Sequence, residues 1–130
     1  MSQENVETAL RGLDALNRRD VQAAIQVADP EIELRPELIG TPVYRGHDGI
    51  RQWLRDVETA WESFQLEPVE TRERDDEIFL AARATGRGRT TGADVEAWLF
   101  YVITFREGKV VQILGFTDGD KALEAAELAE

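Results

Sequence analysis

The apolar positions of this chain repeat with a helical period in its first half and with a strand period in its second. The clearest stripe lies in PVYRGHDGIRQWLRDVETAW, from Pro42 to Trp61. Ile50, Trp53, Leu54, Val57, Ala60 and Trp61 share one helical face, while Arg51, Gln52, Arg55, Asp56 and Glu58 take the other. The spacing predicts a long helix ending near Ser63. Gly46, His47 and Asp48 stand at its start, where unpaired N–H groups and the helix dipole favour an acidic residue such as Asp48.

Upstream, Val6, Ala9, Leu10, Leu13 and Leu16 form the stripe of a first helix, with Ser2 as its cap and Asn17-Arg18-Arg19 at its end. Asp20 caps a short second helix that carries Val21, Ala24, Ile25 and Val27 inward and is stopped by Pro30. Glu31 to Arg35 alternates as a short strand closed by Pro36. The segment from Pro36 to Gly46, with Gly40 and Pro42, is a loop of the kind that rims binding sites. Downstream the period changes. Phe64 to Arg74 reads as an edge strand or a bulged one around Pro68. Asp75-Asp76 turns the chain, and Glu77 to Arg89 forms a long strand with Gly86 and Gly88 near its end. After a turn at Gly92, Val95 to Arg106 is apolar on both faces, as in a strand covered on both sides. Glu107-Gly108 is a hairpin signal, and Lys109 to Thr117 returns. Asp120 is the expected cap of a final helix with Ala122, Leu123, Ala126 and Leu128 on its apolar side. Helices first and strands afterwards indicate the α+β class.

At 130 residues the chain fits one domain spanning 1–130, with apolar residues making up 42%. Its net charge of −11 repels phosphate backbones and anionic membranes, so neither nucleic acid nor a membrane is an expected partner. The absence of cysteine excludes disulfides, thiolate nucleophiles and thiolate-bound metals, and one histidine cannot build a His-based metal cluster. No cofactor and no metal are therefore expected. The N-terminus MSQENVETAL lacks a basic region followed by an apolar run, and no apolar stretch approaches ~20 residues. A cytoplasmic location is the expectation.

The segments DALNRRDVQAAIQVADPEIELRP, VYRGHDGIRQWL and FREGKVVQILGFTDGDKALEAA, in that order, resemble the SnoaL-like branch of the nuclear transport factor two-like superfamily. The resemblance implies a cone-shaped fold. A strongly bent, mostly antiparallel sheet would wrap around three N-terminal helices, with a short C-terminal helix added. It also implies frequent homodimers, and members that range from polyketide cyclases and ketosteroid isomerases to non-catalytic binders, so the fold leaves function open. The isomerase branch uses a tyrosine on the first helix, an aspartate base before a proline and a protonated aspartate on a central strand. The matching positions here hold Gly12, Arg35 and Tyr101. A guanidinium stays protonated and cannot serve as that base. The epoxide-hydrolase branch matches at Arg83, Thr85 and Gly115, where only the arginine survives.

Three readings follow from these residues. In the first, the chain binds a small, partly apolar, anionic molecule. The resemblance turns Arg35, Arg83 and Tyr101 toward the cavity, while Trp53, Trp98 and Phe116 supply walls and Tyr44 closes over the mouth. Its structural alternative pairs the arginines with Glu33 or Glu96, and packs Tyr44 on Trp53 or the loop. In the second, the chain is a lyase-, isomerase- or cyclase-type enzyme acting on a polyketide-like or steroid-like molecule. Its acid–base groups would then be His47, Asp118 or Glu33, set against a helix-start role for His47 and a turn or cap role for Asp118. In the third, the chain is a homodimeric association module without ligand. Trp98, Phe100 and Val102 would lie on an outward sheet face that a second copy covers.

Overall fold

The computed structural model describes residues 2–36 and 43–126. Within them the chain forms α1 (Ser2–Arg18), α2 (Val21–Val27), β1 (Ala28–Arg35), β2 (Tyr44–Arg45), α3 (Gly46–Ala60), β3 (Trp61–Arg74), β4 (Glu77–Gly88), β5 (Asp94–Arg106), β6 (Lys109–Phe116) and α4 (Gly119–Ala125). The expected contributions of Ser2's side chain, of residues 37–42 in the Pro/Gly loop and of Leu128 lie outside the described residues.

Six strands make one open sheet in the order β2-β1-β6-β5-β4-β3. Only β1 and β6 run parallel; the other neighbours are antiparallel. This is the expected α+β architecture. Helices α1, α2 and α3 pack on one face of the sheet, where Leu13, Leu16, Ile50 and Leu54 meet Leu66, Ile78, Leu80, Tyr101 and Ile103 in the main core. On the opposite face α4 lays Ala122 and Ala126 over Phe79, Ala81 and Val102.

Local chemistry explains most element boundaries. Asp20 caps α2 by accepting a 3.1 Å hydrogen bond from the Ala23 N–H. Glu107 (φ 51°) and Gly108 (φ 79°) both adopt left-handed backbone in the β5–β6 turn, as a type I′ hairpin requires. At Pro68 the β3–β4 register shifts, and β3 is an edge strand, so the missing N–H costs no ladder bond in the middle of the sheet.

Three boundaries differ from expectation. Helix α2 ends at Val27 rather than at Pro30, because Ala28 already takes extended backbone and starts β1. Pro30 sits where the β1–β6 register is irregular, between Ala28 and Glu33, and needs no donor there. Helix α3 ends at Ala60, not near Ser63. Trp61 leaves the helical stripe to open β3, pairing with Gly88 and packing its ring 5.5 Å from that of Phe64. The cap of α4 is Asp118, which accepts from the N–H groups of Asp120 and Lys121, instead of Asp120.

Candidate functional site

Small residues on α1, on α2 and at the start of β1 face the bent sheet. Ala9, Gly12, Ala24 and Ala28 border the same hollow as Leu66, Leu80 and Ile103. The result is a chamber of about 80 Å³, open in part to solvent and lined also by Leu13, Leu16, Ile32, Ile50, Leu54, Val110 and Ile113. A second, smaller chamber of about 40 Å³ lies beside it, lined by Pro36, Val57, Trp61, Phe64, Leu99, Gly115 and Phe116. Trp53 and Tyr101 line both chambers and form the partition between them. Among the described residues no carboxylate, guanidinium, amine or imidazole lines either chamber.

Tyr101 is therefore the main polar feature of the site. Strand β5 turns it inward opposite Leu80 and Gly115. The residue is only 9% exposed, yet its hydroxyl makes no hydrogen bond among the described residues. The oxygen is not sealed in, since no fully enclosed side-chain oxygen or nitrogen lacks a partner among the described residues. Burial pushes its phenol above the ordinary tyrosine range, so the group is a neutral O–H donor at any physiological pH.

The other residues singled out from the sequence are distributed differently. Trp53 and Tyr101 meet at the cavity, and Phe116 touches the smaller chamber while packing against the α4 side of the sheet. Arg83 does not face the cavity. The alternation of β4 sends Ala82 and Ala84 inward and Arg83 outward, a one-residue difference in facing from the alignment with relatives. Its guanidinium lies 5.4 Å over the Trp98 ring and 3.5 Å from Glu96 on the outer face, with the side chain 46% exposed. Trp98 accordingly walls no chamber and is 45% exposed. Arg35 also points away, 48% exposed, with its Nε donating to Glu33 at 3.0 Å. The salt-bridge alternative is what the structure adopts for both arginines.

Tyr44 is buried but lines neither chamber. It packs on the start of α3, so closely that a Cβ at Gly49 would lie 3.1 Å from its own, and its hydroxyl donates to Asp56 at 2.6 Å. Burial first, and then the Asp56 carboxylate, push its phenol up to about 12. His47 sits in the first turn of α3 with Nε2 3.0 Å from the Ala28 carbonyl oxygen, and Asp118 is occupied as the α4 cap. Glu33 is bound by Arg35, Arg45 and Gln112, whose hydrogen bonds pull its carboxyl down to about 2, that of Arg35 most. None of these three lines a chamber.

The residues missed in the sequence are the cavity makers. Ala9, Gly12, Ala24 and Ala28 look like ordinary small core positions. The available signal was their clustering on the faces of consecutive elements that look toward one sheet, and the glycine at the position where isomerases keep a tyrosine.

An open bent sheet with three helices on one face and a hollow between the layers defines a nuclear transport factor two-like protein. The chain belongs to the SnoaL-like domain family, whose model matches residues 9–113. Solved structures agree with this fold. An NTF2-like protein of unknown function from Burkholderia pseudomallei K96243 superposes with a TM-score of 0.81 at 20% identity, over 95% of this chain and 97% of that one. TerC, co-crystallised with polyporic acid, gives 0.80 at 23% identity, over 95% and 98%. A putative SnoaL-like polyketide cyclase from Jannaschia sp. CCS1 gives 0.79 at 19% identity, over 98% and 94%. Comparison with curated protein sequences gives no match. Among the described residues no helix is long and apolar enough to cross a membrane, and no group of three His, Asp or Glu side chains is arranged to hold a metal ion.

Proposed function

We propose that the chain binds a small, mainly apolar, uncharged organic molecule in the chamber between the helices and the sheet. The observation that carries this reading is a hollow lined wholly by apolar and aromatic side chains. Walls of this kind favour an apolar guest, because it restores the contacts that they lack. The co-crystallisation of TerC with polyporic acid supports small-molecule binding by this fold. An anionic ligand loses its basis, since Arg35 and Arg83 lie outside and are already paired. Catalysis by His47 or Asp118 loses its basis too, since one contacts a main-chain carbonyl and the other caps α4.

The test is a titration with toluene followed by calorimetry and by thermal shift, with benzoate as the anionic comparator. Saturable toluene binding is expected, with no binding of benzoate. Ala24→Leu fills the larger of the two chambers and should abolish toluene binding while the circular dichroism spectrum is retained; Ala24→Val is the milder version if leucine overpacks. The double variant Arg35→Met, Arg83→Met should bind toluene like the parent. Toluene binding that survives filling of the chamber, or benzoate binding that the double variant removes, would refute this reading.

A further inference from the structure

We infer that the ligand carries a single neutral oxygen acceptor, a ketone, aldehyde or ester carbonyl, and that the Tyr101 hydroxyl donates to it at the partition between the two chambers. The inference deepens the binding reading above and rests on it.

Three facts combine. A hydroxyl buried to this degree ordinarily has a partner, because an unmade hydrogen bond in an apolar setting costs free energy. Tyr101 has none among the described residues, its oxygen is not fully enclosed, and the residue lines both chambers. Around it, Leu80, Ile103 and Leu99 offer no competing donor or acceptor. The partner must therefore come from outside: a water molecule in the free protein, and the ligand when it binds. Trp53, the other member of the partition, has an indole N–H that can only donate. Both polar side-chain groups at this point of the cavity can thus be donors, which selects for an acceptor on the guest. A carboxylate would bring a charge into a chamber without a cation, and a hydrocarbon would leave the hydroxyl without its water.

The experiment compares acetophenone with ethylbenzene, similar in shape and differing in the carbonyl, on the parent chain and on Tyr101→Phe. The parent should bind acetophenone roughly five- to tenfold more tightly, the ratio expected for one neutral hydrogen bond at a buried site. Tyr101→Phe should erase that ratio, leave ethylbenzene binding unchanged and melt no lower than the parent, since no protein partner is orphaned by losing the hydroxyl. Equal preference for acetophenone in both proteins would overturn the inference. So would a Tyr101→Phe variant that melts several degrees lower and loses ethylbenzene as well, because the hydroxyl would then be structural. Ethylbenzene binding without any preference for acetophenone in the parent refutes the acceptor and leaves the binding reading standing. If neither molecule binds the parent, both readings fail.

Discussion

Glu33 shows how a single residue took a role different from the one its type suggested. As a carboxylate near a presumed mouth it was a candidate acid or base. In the fold it is the shared acceptor for Arg35 on its own strand, Arg45 on β2 and Gln112 on β6, and so ties three strands at one end of the sheet. Because its folded-state carboxyl is held near pH 2, below the ordinary value of 4.5, the stabilisation it provides is complete above pH 4.5. It is lost as pH falls from there toward 2. Glu33→Gln should therefore lower the melting temperature at pH 7, and the gap to the parent should close progressively as pH falls from about 4.5 to 2. A constant gap across that interval would show that the side chain contributes by packing alone. The two arginines illustrate the limit of reading single residues. Their chemistry was legible, and so were their partners, but whether they faced in or out depended on facing along a strand. A difference of one residue inverts that facing.

At the level of elements, periodicity located the four helices and five of the six strands found among the described residues, and turn chemistry placed most of their ends. The two-residue strand β2 had no such signal, being too short to show an alternation. What periodicity could not supply was how elements are fastened. Asn17, read as a helix-ending residue, clamps α1 to β3: its side-chain amide donates to the Leu66 carbonyl at 2.8 Å and accepts from the Leu66 N–H at 2.8 Å. Both bonds satisfy main-chain groups of an edge strand. Asn17→Ala should destabilise the fold by about 1–3 kcal/mol, measured by urea denaturation, and should raise amide exchange at Leu66 above that at Leu80. Unchanged protection at Leu66 would mean that water replaces the asparagine at no cost.

For the molecule as a whole, the open question is what covers the outer sheet face. Part of the cover is internal, since α4 shields Phe79, Ala81 and Val102. Trp98 and the arginine stacked on it remain half-exposed. We propose a second copy of the chain as the cover for this remainder, in a two-fold arrangement. Light scattering should then give twice the 14.7 kDa of the chain at micromolar concentration, and Trp98→Glu should return it to the monomer while leaving toluene binding in the interior intact. A monomer at all concentrations would exclude this arrangement.

The order of elements, the α+β class, the hairpin turns and the family resemblance were all written in the one-dimensional pattern. They depend on local backbone preferences and on periods that a linear chain displays directly. Tertiary structure alone decided that the small residues Ala9, Gly12, Ala24 and Ala28 leave a hollow, and that Tyr101, at its edge, keeps a hydroxyl without a partner among the described residues. It also decided that Arg83 looks away from that hollow. A cavity is the space that several distant segments fail to fill together. Which side chains border it depends on how a bent sheet meets three helices, and no local period encodes that meeting.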